Sequence, residues 1–158
     1  MSKTKQITGL VVSLGLVFLV GWLGVIVTQR SLGVWYTSLI KPSWTPSGAT
    51  IGLIWTIFYA SMAIAAWSVW LCGGLIKQRR PLGFYAFQLL LNAGWTFLFF
   101  DLRCPGLALV EIIILWIAIL VTLISFCRVS RFAAGLMGPY LIWVTIAAGL
   151  NAMIWRLN

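Results

Sequence analysis

Residues 7–28 read ITGLVVSLGLVFLVGWLGVIVT, and no charged side chain occurs between Lys5 and Arg30. These 22 residues, at about 1.5 Å rise per residue, span roughly 33 Å as a helix, against a hydrocarbon core of about 30 Å. The stretch reads as a membrane-crossing helix. Lys3 and Lys5 give it the basic start of a signal peptide. Yet the apolar run exceeds the roughly 7–15 residues of a leader's core, and no Ala-x-Ala site follows it. We expect a retained helix.

The same punctuation recurs along the chain. Charged residues and prolines separate further apolar runs at 51–72, 82–100, 107–127 and 132–155, with Glu111 the one acid clearly inside a run and Pro139 a break near the start of the last. The expectation is an all-α, polytopic membrane protein: one domain over residues 1–158, a bundle of five transmembrane helices. Composition agrees. Only 8% of the residues are charged, whereas soluble domains carry about 25% and need them to cover their surface.

Several chemistries are excluded. Without histidine there is no imidazole base and no His-ligated metal or haem. Cys72, Cys104 and Cys127 have neither metal-ligand nor redox spacing, so no metal site is expected. The net charge of +9 is spread between long uncharged runs, as for charges at membrane faces, so no nucleic-acid partner is expected. Five spans put the termini on opposite sides. Lys3, Lys5, Lys77, Arg79, Arg80, Arg128 and Arg131 gather on the N-terminal side, against Arg30, Lys41, Arg103 and Arg156 on the other. The positive-inside rule then places the N-terminus in the cytoplasm of a bacterial inner membrane. A bacterial or mitochondrial outer membrane is the alternative.

The connection 29–50 is long and holds Trp35, Tyr36, Trp44, Pro42 and Pro46, a composition that points to a lid over the helix ends. Of the ten tryptophans, an interfacial belt accounts for Trp67, Trp70 and Trp155 but not for Trp116 or Trp143 at mid-span. Polar residues in the spans lie at mid-depth or towards the long loop: Asn92, Glu111 and Asn151. Helical spacing aligns Gln88, Asn92 and Trp95 on one face, Tyr140, Trp143, Ala147 and Asn151 on another, and Trp55, Tyr59 and Met62 on a third. Each stripe alone could be helix–helix packing with amide glue. Together they point to an aromatic-lined cavity on the long-loop side, suited to a flat, largely apolar ligand. Glu111 is either functional or held structurally, by Arg103 or by Asn151.

The residues assembled here resemble a known family. Trp35-Tyr36 with Lys41-Pro42-Ser43-Trp44-Thr45-Pro46 is similar to the first-loop signature of the tryptophan-rich sensory protein, or translocator protein, family, also called the peripheral-type benzodiazepine receptors. The likeness continues through Gly52, Trp55, Tyr59, Phe84-Tyr85, Gln88, Asn92, Trp95, Phe99-Phe100, Pro139-Tyr140-Leu141, Trp143, Leu150-Asn151 and Leu157-Asn158. The resemblance implies five packed helices, often a homodimer, with a pocket for porphyrins, sterols or synthetic drugs under the first loop. It places pocket residues at Trp55, Asn92, Trp95, Trp143 and Ala147. Two departures stand out. Early helix four has Glu111 where the family usually has Asp, and Ala152 stands where animal members carry the Tyr of their sterol motif, which favours porphyrin over sterol.

The expected function is therefore a receptor or sensor that binds tetrapyrroles, with no cofactor required and porphyrin as ligand rather than prosthetic group. Its expected ligand-binding residues are Trp35, Trp44, Trp55, Tyr59, Gln88, Asn92, Trp95, Glu111, Tyr140, Trp143, Ala147 and Asn151. One alternative is light-dependent porphyrin degradation, in which Trp55, Trp95 and Trp143 would donate electrons or be oxidised. Another is a porphyrin or sterol transporter, although no inverted repeat is visible. For a homodimer, close helix approach could use the small-residue pairs Gly9/Ser13, Ser61/Ala65, Ala134/Gly138 and Ala148/Ala152, or Gly83, Ala86, Ala93 and Gly94 on helix three.

Overall fold

The computed structural model describes residues 2–158. Five helices are long and apolar enough to cross a membrane: α1 (Lys3–Tyr36), α2 (Gly48–Leu71), α3 (Arg79–Asp101), α4 (Pro105–Cys127) and α5 (Arg131–Leu157). Their starts follow from local chemistry. The Ser2, Ser47 and Ser130 side chains accept from the backbone N–H of Lys5, Thr50 and Ala133, capping α1, α2 and α5. Pro105 opens α4 at its first turn, where a missing N–H costs nothing.

Three boundaries differ from expectation. First, α1 does not stop near residue 28. It continues through a π-helical turn, Leu32–Tyr36, so the long connection shrinks to about residues 39–47, and Trp35 and Tyr36 sit on a helix end rather than in a loop. Second, α3 begins at Arg79 and carries Pro81 within its first turn, the one part of a helix that tolerates it. It too closes in a π turn, Phe97–Asp101. Third, α5 runs unbroken through Pro139; in a membrane bundle, neighbouring helices support such a residue.

Contacts close the helices into a ring in the order α1, α2, α5, α4, α3 and back to α1. The half of the ring nearest the N-terminus is packed tight. Ala63, Ala65, Ala66 and Val69 of α2 and Ala133, Ala134 and Met137 of α5 share one core with almost no exposure. Small side chains let these backbones approach. Two of the small-residue pairs considered for a dimer are used here instead. A Cβ on Gly9 would collide with the Trp70 ring, and the Ser13 hydroxyl donates to the Ala63 carbonyl at 2.8 Å. Ala65 is fully buried.

A layer of polar side chains crosses the ring at mid-depth. Tyr59 donates its hydroxyl to Asn92 Oδ1 (2.8 Å), Asn92 Nδ2 donates to the Tyr140 hydroxyl (3.0 Å), and that hydroxyl donates to Gln88 Oε1 (3.3 Å). Gln88 Nε2 ends the chain on the Met62 sulfur at 3.7 Å. A satisfied buried network of this kind fixes the relation of three helices. On its far side the ring opens.

Candidate functional site

Above the polar layer lies a half-open cavity of about 650 Å³, walled by α1, α2, α3 and α5 but not by α4. Aromatic residues of α2 and α5 make one side: Trp55 and Tyr59 lie 5.6 Å apart centroid to centroid, and Trp143 rests against Phe58 at 6.3 Å. On α3, Trp95 stacks on Phe99 at 5.1 Å. The indole N–H of Trp95 is held by Asn151 Oδ1 at 3.0 Å, and Asn151 Nδ2 donates to the Pro105 carbonyl at 2.8 Å. This chain pins the Trp95 ring and joins α5 to the start of α4.

Of the residues expected to bind a ligand, Trp55, Tyr59, Trp95, Trp143, Ala147 and Asn151 line this space. The other six do not. Asn92, Gln88 and Tyr140 lie beneath it, in the polar layer, where each is nearly fully buried and engaged. Asn92 spends its carbonyl on Tyr59 and one amide hydrogen on Tyr140, so it positions the wall instead of facing the cavity. Trp35 packs edge-on against Phe99 at 5.6 Å and lines a smaller cleft of about 310 Å³ with Arg103, Trp155 and Asn158. Trp44 is half exposed on the loop. Glu111 faces α3 beside Gly94, away from the cavity. Neither Arg103 nor Asn151 holds it: both of its oxygens are buried without a hydrogen-bond partner. The mid-span Trp116 has a separate explanation, donating to Thr145 Oγ1 at 2.9 Å between α4 and α5.

Sequence reading missed the wall contributed by α1: Phe18, Gly21, Trp22, Gly24, Val25 and Thr28. This helix is apolar on every side, so periodicity carries no information there. The available signal was the glycine pair. A Cβ on Gly21 would lie 2.9 Å from the Tyr59 ring. Glycine thus lets the Tyr59 ring pass close to α1.

The short loop is tied down where it leaves α1, and reaches the cavity rim at its far end. Asn158 grips Ile40 twice, accepting from its N–H (3.0 Å) and donating to its carbonyl (3.1 Å), which fastens the loop to the end of α5. Lys41 Nζ donates to the carbonyls of Tyr36 and Leu39, capping the end of α1, and stands 4.7 Å over the Tyr36 ring. Pro46 and Gly48 complete the rim.

Several polar groups of the cavity walls are satisfied internally. Tyr59, Trp95, Asn151, Thr56 and Thr96 each make a hydrogen bond within the protein. Among the described residues lining the cavity, Trp143 Nε1 is the one buried side-chain donor without a partner. The space thus presents ring faces and aliphatic surface, with the polar groups of Trp22, Thr28, Gln29 and Trp55 also on its lining. Among the described residues no group of His, Cys, Asp and Glu is placed to hold a metal ion.

Comparison with known proteins agrees with this architecture. The family model TspO/MBR matches residues 13–156. The chain is 40% identical over 156 residues to the tryptophan-rich protein TspO of Chlorobaculum tepidum, covering 98% of each chain. It is 39% identical over 126 residues to the human translocator protein, covering 78% of this chain and 75% of that one. It is 38% identical over 124 residues to the tryptophan-rich sensory protein of Cereibacter sphaeroides, covering 78% and 77%. The match spans all five helices, including the walls of the cavity, and the chain belongs to the TspO/MBR family.

Proposed function

We propose that the protein is a membrane sensor that binds a planar tetrapyrrole, protoporphyrin in the first instance, in the cavity between α1, α2, α3 and α5. The observation that carries this reading is an aromatic-walled cavity of about 650 Å³ in which the buried Trp143 N–H has no partner. A volume of that order suits a drug-sized or larger planar molecule. Its ring system stacks on the indoles, and a small rotation of Trp143 brings its free N–H to a ligand carbonyl or carboxylate. The ionised side arms of a porphyrin stay at the half-open mouth, in reach of water. The names of the relatives, sensory protein and translocator protein, fit a regulatory or ligand-handling role.

A parallel titration of the purified protein with protoporphyrin, haem and cholesterol tests this reading. Protoporphyrin should saturate the protein, haem should bind no more tightly because no histidine is present to ligate its iron, and cholesterol should bind more weakly. Tightest binding of cholesterol, or no saturable binding of protoporphyrin, would refute it.

Light-dependent degradation of the bound porphyrin is a second reading, favoured by the placing of Trp55, Trp95 and Trp143 on one cavity. It requires more than one turnover per protein under illumination, lost in Trp143→Phe. The protein is also proposed to act as a homodimer with its N-terminus in the cytoplasm. Gly83 and Ala86 on the exposed outer face of α3 leave room for a second copy. A monomeric mass in mild detergent, or a periplasmic N-terminal reporter, would count against these two points respectively.

A further inference from the structure

The end of the bundle opposite the cavity carries charge that the fold does not use. Lys3, Lys5, Lys77, Arg79, Arg80, Arg128 and Arg131 lie there, whereas both acids of the chain, Asp101 and Glu111, belong to the other half. The connection from α2 to α3 concentrates this charge. Gly73 and Gly74 take φ of +150° and +73°, values that side-chain-bearing residues rarely adopt. They turn the chain out of α2 into a single helical turn, Gly74–Lys77, which leads directly to Arg79. This path leaves Leu75 67% and Ile76 90% exposed. A Cβ on Gly73 would meet Lys77 Cδ at 2.8 Å, so the lysine stem lies back along the turn.

Two features of the turn are unfavourable in water. An aliphatic pair stands clear of the protein surface. In addition, Arg79 and Arg80 occupy the first turn of α3, which has no acidic residue and no side-chain cap, where the helix dipole disfavours cations. A layer that is apolar within and anionic at its surface relieves both. Leu75 and Ile76 would enter the boundary between headgroups and acyl chains, while the basic side chains extend to the phosphates. Cations in that position attract anionic lipid.

We propose that the turn 72–80 is a dock for the anionic headgroups of a phospholipid leaflet, with Leu75 and Ile76 as its inserted apolar tip and Lys77, Arg79 and Arg80 as its phosphate-holding groups. The dock anchors the closed end of the bundle and leaves the cavity end free of it.

The test is the association of spin-labelled phosphatidylglycerol, relative to spin-labelled phosphatidylcholine, with the protein in phosphatidylcholine vesicles. The wild type prefers phosphatidylglycerol. The triple variant Lys77→Gln/Arg79→Gln/Arg80→Gln loses at least about fivefold of that preference, the worth of one surface cation at about 1 kcal/mol. The single variants Lys77→Gln and Arg80→Gln fall in between and serve if the triple variant does not fold. Removing the same charge from the other end, in Arg30→Gln/Arg103→Gln/Arg156→Gln, leaves the preference in place. Inorganic phosphate, compared with chloride at equal ionic strength, does not abolish it. An equal loss in both triple variants, an unchanged preference in the first, or displacement by inorganic phosphate would overturn the proposal.

Discussion

The two halves of this bundle are built from the same five helices and the same apolar composition, yet one is solid and the other hollow. In the half near the N-terminus, the buried positions of α2 and α5 are largely alanines, small enough to let helices pack closely. In the half towards the loop, the same helices carry Trp55, Tyr59, Trp143 and Ala147, and α3 adds Trp95 and Phe99. These rings are too large to interleave at that spacing and stack around a space instead. The hydrogen-bonded layer of Tyr59, Asn92, Tyr140 and Gln88 separates the two regimes and forms the cavity floor. Hydropathy makes the chain a membrane protein; side-chain size, alternating along each helix, decides where it is empty.

The comparison breaks most visibly under one substitution made twice. Ala65→Leu adds bulk where nothing is exposed, and overpacking there should cost about 1–3 kcal/mol or more. Ala147→Leu adds the same bulk facing the cavity. It should fold normally but displace a planar ligand. Thermal melting in detergent checks the first half of this statement and a protoporphyrin titration the second. Equal destabilisation at both positions would mean that the cavity is not open in the folded protein.

Asn92→Ala cuts the floor. It leaves the Tyr59 and Tyr140 hydroxyls short of a partner, at a cost of about 1–3 kcal/mol in stability. Because Asn92 positions Tyr59 without facing the cavity, binding should weaken less than in a variant that removes a wall residue. Melting and titration of the same sample compare the two effects, and a loss of affinity with no loss of stability would place Asn92 in direct contact with the ligand.

The number of spans, the all-helical class and the side on which the cavity lies could be read from charge spacing and from where indoles and amides gather. The distinction between wall and floor could not. Asn92 and Trp95 share a helical face, so periodicity assigns them one role. Only the depth of Tyr59 and Tyr140 on neighbouring helices shows that Asn92 is already engaged. The contribution of α1 was hidden for the opposite reason, since a helix apolar all round has no face to read. The loop was overestimated because the aromatic residues Trp35 and Tyr36 look like punctuation in sequence. In the structure they are carried on a π turn, which packs them against Phe99 and Phe100.

Glu111 gives the smallest expected effect. It is acidic and inside a span, the pattern of a functional residue, yet it faces neither the cavity nor a partner. A buried polar group without a hydrogen bond is a cost to folding. Glu111→Leu should therefore melt at the same temperature as the wild type or higher, with ligand affinity unchanged. A lower melting temperature would show that the carboxyl has a partner in the membrane, and lost affinity would move the site towards α4.

The most direct comparison of the two halves is a fluorescence-quenching titration with protoporphyrin on Trp143→Phe and Trp67→Phe beside the wild type. Trp143 lines the cavity with its N–H uncommitted, whereas Trp67 donates its N–H to the Gln6 carbonyl at 2.9 Å in the solid half. Losing the uncommitted donor should cost about 1–3 kcal/mol of binding, roughly five- to a hundredfold in Kd. Trp143→Phe should melt no lower than the wild type without ligand, because the donor it removes is unsatisfied there. Trp67→Phe should change Kd by less than about twofold. Equal losses in the two variants, or a larger one at Trp67, would place the tetrapyrrole outside the hollow half.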